Sequence, residues 1–357
     1  MKRSSKNSVG LADVALAAGV STATVSLALQ EGSRISASTR ERVRLAIEQT
    51  GYRYNRAAAK LRTGQSFTVG LLITDIANPY FAALAAGAET VLDERGYMTF
   101  LLNSNDIGDR QARQLNKLME HGVDGVLLSP ADGTDLTTVQ YLVDHGVPVV
   151  QVSRWVEGLS CDVVQPDNAA LAAEATRHLI ALGHRRIAFL GGTPSRSARV
   201  ERLAGYTRAL AEAGIAYDPE LTPTGPPTRA SGSILLRHVV GGTIPPTAAL
   251  CYHDLMALGA LQAARELGLR VGEDFAIIGF DDIAEAAICD PPLTTVHIDA
   301  ESIGRSAAQH LLARLEGSVG PASRTIIPAH LVMRGSCGSH RFSPLPGAGS
   351  DTPGKRQ

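Results

Sequence analysis

Cysteine is scarce in this sequence of 357 residues: Cys161, Cys251, Cys289 and Cys337 stand far apart and form no C-x-x-C pair. That spacing argues against a disulfide framework and the usual zinc patterns, and leaves buried free thiols suited to a reducing cytoplasm. Long apolar runs are missing as well; no stretch approaches the roughly 20 residues that span a bilayer. The opening MKRSSKNS is basic with no apolar segment behind it, so no secretory signal is expected. Net charge is small, at −1. Enzymatic signatures are also lacking: no G-x-G-x-x-G follows a strand, and there is no Walker A sequence and no G-x-S-x-G elbow. Scattered His and Asp residues spell no triad. Neither a metal nor a cofactor is expected, and the chain does not read as an enzyme.

The near-neutral total conceals an asymmetry. Through Ser66 the chain carries 11 Lys and Arg against 4 Asp and Glu, a surplus of seven positive charges; the remainder holds 23 against 31. A basic head on an acidic body is the electrostatic footprint of a nucleic-acid module joined to something else. Within that head, LADVALAAGVSTATVSLAL (residues 11–29) reads as two short helices around a tight turn. Leu11, Val14, Ala15 and Ala18 fall at i, i+3, i+4 and i+7, one apolar face. Gly19 stops the first helix, since a residue without Cβ enters the left-handed region cheaply. Ser21 can cap the second, whose Val25, Ala28 and Leu29 pack back on the first. Its outward side carries Thr22, Ala23, Ser26 and Leu27, small groups able to approach base edges. An ordinary helical hairpin is the alternative, and the surrounding positive charge favours DNA. A third helix follows, capped by Ser36, with Val43, Ala46 and Ile47 inward and Gly51 at its end. The segment YRYNRAAAKLRTGQS (52–66) favours helix by composition but is too short to be stable alone. It reads as a hinge or a simple linker.

From Phe67 the pattern changes. Short apolar runs at 67–73, 97–102, 125–129, 147–153, 185–191, 247–252, 275–280 and 294–298 alternate with Ala- and Leu-rich amphipathic stretches. Such alternation predicts doubly wound parallel sheets covered on both faces, in one large sheet or two lobes. The tail SPLPGAGSDTPGKRQ is Pro- and Gly-rich and is expected to be disordered over 341–357.

LADVALAAGVSTATVS, RISASTRERVRLAIEQTGYRYNRAAAKLRTG and VGLLITDIANPYF, followed by VDGVLLSP, HLIALGHRRIAFLGG, RLAGY, MALGAL, IIGFDD and PPLTTVHID, closely resemble the LacI/GalR family of bacterial transcription regulators. The resemblance covers roughly residues 9 to 335 in the expected order. It implies an all-α helix-turn-helix headpiece over 9–52 and a hinge helix with linker over 53–66. A two-lobed α/β core like that of periplasmic binding proteins would occupy 67–340. The first lobe would take about 67–162 and 296–326, the second about 163–295 and 327–340. Crossings would fall near Asp162–Gln165, Leu293–Ile298 and Ile326–Val332. In the family the second helix enters the major groove, which by position assigns Ser21, Thr22, Ala23, Thr24, Ser26 and Leu27 to DNA. The family usually has Arg where Leu27 stands, so the operator sequence does not carry over. Asn55, Ala58 and Leu61 match the hinge helix, whose paired leucines wedge into the minor groove of a palindrome. Tyr54 stands where proline is common.

The resemblance also implies an effector cleft between the lobes, holding a small molecule such as a carbohydrate. Asp75, Asn78, Tyr80 and Phe81 would come from the first lobe, and Arg154, Arg202, His253 and Asp281 from the second. Carboxylates and guanidinium groups take hydroxyl acceptors and donors, and an aromatic face stacks on a sugar ring. His253 stands where asparagine is usual and Leu171 where glycine is common; Trp155 could close over a ligand. The function implied is a repressor acting as a cytoplasmic homodimer on a palindromic operator, under small-molecule control. A sugar-binding transport protein shares the core but fits neither the basic head nor the missing signal.

Overall fold

The computed structural model describes residues 9–29, 34–53 and 64–338, and the chain falls into two compact units, residues 1–66 and 67–357. In the first unit, α1 (Leu11–Ala18), α2 (Thr22–Ala28) and α3 (Ala37–Thr50) surround a small core of Val14, Ala15, Ala18, Val25, Ala28, Val43, Ala46 and Tyr52. Gly19 ends α1 with φ +64, and Gly51 ends α3 with φ +65. The Ser21 hydroxyl caps α2 by accepting from the Thr24 N–H at 3.1 Å, and Ser36 caps α3 in the same way. Leu11, Leu29 and Ile47 are half-buried at the edge of this core.

The second unit contains two sheets. The first lobe is built from β1 (Thr68–Ile73), α4 (Pro79–Glu94), β2 (Met98–Asn103), α5 (Gly108–His121), β3 (Gly125–Leu128), α6 (Leu136–Asp144), β4 (Val149–Val152) and β5 (Asp162–Gln165). The chain then passes into α7 (Asn168–Ala181), β6 (Ile187–Leu190), α8 (Ser197–Glu212), α9 (Arg229–Val240), β7 (Ala248–Cys251) and α10 (Asp254–Glu266). It continues through β8 (Ala276–Asp281), α11 (Ala284–Ile288), β9 (Thr294–Ile298), α12 (Ala300–Leu315), β10 (Arg324–Ile326) and β11 (Ala329–Val332). Six strands in the order β10-β5-β4-β3-β1-β2 form the first sheet, and five in the order β11-β9-β8-β7-β6 the second. All pairings are parallel except that of β11 with β9. Central strands are continuous apolar runs, as burial on both faces demands; Leu71, Leu127, Val150, Phe189, Leu250 and Ile278 are fully buried.

β5 stays with the first sheet through Gln165, three residues beyond 162, and β9 stays with the second through Ile298. The run at 326–332 is two strands in different sheets, joined across the lobes. Helix α12 packs on the first sheet against α4, and a Cβ on Gly87 of α4 or Gly304 of α12 would collide with the backbone of the other helix. Of the four thiols, Cys251 and Cys337 are buried, whereas Cys161 and Cys289 are only half-buried. Among the described residues no single helix is long and apolar enough to cross a membrane.

Candidate functional site

In the small unit, α1 and α2 meet at 95°, the crossing of a helix-turn-helix. Val25 and Ala28 hold α2 against the core, which turns the opposite face outward: Ser21, Thr22, Ala23 and Leu27 are exposed, and Thr24 and Ser26 half-buried. The Ser21 and Thr24 hydroxyls hydrogen-bond each other at 2.9 Å, so the cap fixes two polar groups at the helix start. Leu27 offers a 46% exposed apolar side chain, with no donor or acceptor for a base edge. Asn55, Ala58 and Leu61, with Tyr54, lie outside the described residues, as does the tail 341–357.

In the large unit, the carboxyl ends of strands from both lobes converge on one cavity of about 490 Å³. Asp75, Asn78, Tyr80, Phe81, Arg154, Arg202, His253 and Asp281 all line it. So do Asn105, Asp106, Asp132, Thr193, Arg196 and Tyr252, which the sequence reading did not single out. Arg154 belongs to the first lobe and not the second, because it follows β4, which stays in the first sheet. The strand ends here are contorted. Six described non-glycine residues have left-handed backbone, and five of them, Asn105, Asp106, Ser153, Asp281 and Asp282, follow or end β2, β4 and β8. Such conformations cost energy and concentrate where geometry serves a site.

Asn78 caps α4, accepting from the Tyr80 N–H at 3.0 Å, while the Tyr80 hydroxyl reaches Ser153 at 2.6 Å and its ring meets Phe81 edge-on. Across the cavity, the Arg202 guanidinium lies 4.1 Å from the Phe280 ring centre. Its Nε donates to Asn168 at 2.8 Å and its Nη1 to the Tyr252 carbonyl. His253 caps α10: Nδ1 accepts from the Met256 N–H at 3.1 Å, which leaves the proton on Nε2 to donate to the Pro227 carbonyl. Burial, reinforced by the charges of Arg202 and Arg154, pushes this imidazole down to about 3, so it is neutral and serves the fold as well as the wall. Burial pushes the Asp281 carboxyl up to about 7 against the pull of Arg202, Arg154 and Asn78. Asp254, buried behind it and accepting from Thr295 and the Ile283 N–H, is raised as well.

Asp106 sits between two guanidinium groups: Oδ1 pairs with Arg154 at 2.9 Å and Oδ2 with Arg196. Arg154 and Arg196 form a wall shared with a second cavity of about 260 Å³, lined also by Trp155 and Glu201. Trp155 thus faces this neighbouring space, its indole N–H donating to Glu201 at 3.1 Å. Glu201 also accepts from Gln165 at 3.2 Å, from Asn168 at 3.0 Å and from Arg324. One carboxylate therefore joins strands of the first lobe to two helices of the second. Nothing in the sequence pattern marked it, because its partners are scattered over 170 positions. Leu171 is buried in α7. Among the described residues no cluster of three or more His, Cys, Asp or Glu is arranged to hold a metal ion.

Comparison with known proteins agrees with these two parts. Residues 10–55 match the family described as bacterial regulatory proteins, lacI family, and residues 176–337 match a periplasmic binding protein-like domain. The maltose regulon regulatory protein MalI of Escherichia coli is 36% identical over 333 residues, covering 90% of this chain and 96% of MalI. The chain belongs to the LacI family. Among solved structures it resembles the Lac repressor dimer bound to operator and the anti-inducer ONPF, with a TM-score of 0.81 at 29% identity, over 92% of this chain and 99% of that one. The CelR–cellobiose complex gives a TM-score of 0.71 at 34% identity, again over 92% and 99%.

Proposed function

We propose that this LacI-family member is a transcriptional repressor that binds a palindromic operator as a homodimer and is controlled by a sugar-like effector between its lobes. The observation that carries the proposal is the cavity of about 490 Å³, where aromatic, carboxylate and guanidinium groups converge in the same chain as a helix-turn-helix. A volume of that size suits a small polar ligand. Relatives support the reading: one solved structure is a repressor on its operator, another a complex with cellobiose. Ser21, Thr22, Ala23, Thr24, Ser26 and Leu27 would face the major groove, and Asn55, Ala58 and Leu61 the minor groove at the centre of the site. The dimer is favoured by β2, an edge strand that exposes Met98, Phe100 and Leu101. Such an apolar edge calls for cover, and a second copy supplies it with the two-fold symmetry a palindrome needs. A regulator of chromosomal genes works in the cytoplasm, and the role requires no catalysis.

Fluorescence anisotropy of the full chain on DNA upstream of its own and neighbouring genes, with and without sugars, tests the proposal. Salt-sensitive binding is expected, with an effector changing operator affinity about 5- to 150-fold. Salt-insensitive binding, or no sugar response at all, would overturn it.

A further inference from the structure

Two histidines that the effector cavity does not use stand side by side where the chain passes between the lobes. His297 in β9 and His330 in β11 are direct cross-strand partners. β9 runs on into α12 of the first lobe, and β11 receives the chain from β10 of the first sheet. Directly opposed residues of an antiparallel pair bring their Cβ atoms to about 5 Å. Here the two ring centres are 5.1 Å apart with their planes inclined at 44°, so the imidazoles are not stacked. His297 Nδ1 lies 3.0 Å from one carboxylate oxygen of Asp282, and Arg334 meets the other oxygen at 2.7 Å. The guanidinium matches the charge of Asp282, so no imidazolium is needed to balance it. An ionised carboxylate only accepts; Nδ1 of His297 therefore carries the proton, and Nε2 presents its lone pair. His330 is exposed and His297 half-buried. Among the described residues no hydrogen bond takes up His297 Nε2 or either ring nitrogen of His330.

We propose that His297 and His330 together bind a divalent transition metal of the kind imidazole prefers, such as Zn2+ or Cu2+, with water completing its shell. An imidazole nitrogen binds such a metal at about 2.0–2.1 Å, which puts the ring centre about 3.2 Å away, and two rings about 109° apart at the metal then stand about 5.2 Å from each other. The separation of His297 and His330 meets that spacing. Asp282 is the positioning residue: metal-bound histidines commonly donate their second N–H to a carboxylate, which fixes the ring and raises its basicity. Two protein ligands, against the three or four of catalytic and structural zinc sites, hold the metal in exchange with the medium. Once bound, it ties together two strands through which the chain passes between the lobes. None of the three residues lines the effector cavity, so the site stands independently of the effector reading.

The test uses the untagged full chain in chelator-free buffer, with Zn2+ and Cu2+ as probes and Mg2+, which prefers oxygen ligands, as the control. Equilibrium dialysis should find one Zn2+ per chain bound in the micromolar range, with no comparable uptake of Mg2+. His297→Ala should weaken that binding at least tenfold. So should His330→Ala, which changes an exposed side chain and decides the matter where His297→Ala does not fold. Asp282→Asn, which leaves both imidazoles in place, should weaken it about tenfold. Electron spin-echo modulation of Cu2+ bound at one equivalent should report two imidazoles in wild type and one in His330→Ala. Zn2+ should raise the melting temperature of wild type and not that of His330→Ala. Equal zinc affinity in wild type and His330→Ala overturns the proposal, since the other histidines then account for the binding. So does an absence of zinc binding, or a single imidazole on Cu2+ in the wild type.

Discussion

Leu27 and Asp281 carry opposite kinds of information. Leu27 stands exposed on the outer face of α2, where it can contact a thymine methyl but cannot donate to a guanine. Replacing it with Arg, whose fork reaches guanine O6 and N7, is expected to change base preference at one position per half-site. Selection from a randomised operator checks this, and an unchanged preference would contradict it. Asp281 is legible as a polar residue at a strand end, but its charge state is not, because that depends on burial contributed by both lobes. Its folded value of about 7 lies above that of an unfolded carboxyl. The folded chain therefore keeps a proton that the unfolded chain releases, and stability is lost as pH rises from about 4 through about 7. Asp281→Asn imitates the neutral form. The melting temperature of this variant relative to wild type should rise from pH 5 to pH 8 and then level off, as read by thermal denaturation without effector. A difference independent of pH would contradict the assignment.

At the scale of elements, local chemistry decided what could be read. The helices of the headpiece announce themselves through Gly19, Ser21, Ser36 and Gly51, because caps act within a few residues. Eight strands of the core show as apolar runs for the same reason. β5, β10 and β11 do not: β5 is four residues with only two apolar ones, Val163 and Val164, and β10 and β11 are short and partly exposed, with Ile326 at 45%; the separation of β10 and β11 into two sheets is a tertiary fact. The eight expected cleft residues come together because strand ends face one another, yet Arg196 and Asp106, equally part of the wall, carry no pattern of their own. Glu201 is further from view. It draws together Trp155 after β4, Gln165 in β5, Asn168 in α7 and Arg324 in β10, while Asn168 also takes the Nε–H of Arg202 at the cavity. Glu201 thus links the cavity wall at Arg202, through Asn168, to the strands of the first lobe. Glu201→Gln keeps the shape but loses the ion pair. Operator and effector should each still bind within about threefold of wild type, while the effector's influence on operator affinity falls at least threefold. Operator affinity measured with and without effector checks this; an unaltered ratio would remove Glu201 from the coupling.

For the molecule as a whole, the two units differ in how sequence maps onto structure. The headpiece core is drawn from one continuous stretch, whereas each sheet of the larger unit takes strands from separated stretches. The first sheet receives its edge strand β10 and its covering helix α12 only after the second sheet has gained β6 to β9. During synthesis, the half of the core begun first is therefore among the last parts to be completed. A ribosome that stops before Arg324 releases a chain with a finished headpiece sequence and two unfinished lobes. Such a product has the exposed face of α2 without the edge strand of one sheet or the antiparallel strand of the other. The helix-turn-helix is specified early in translation, and the cleft between the lobes is completed only near its end.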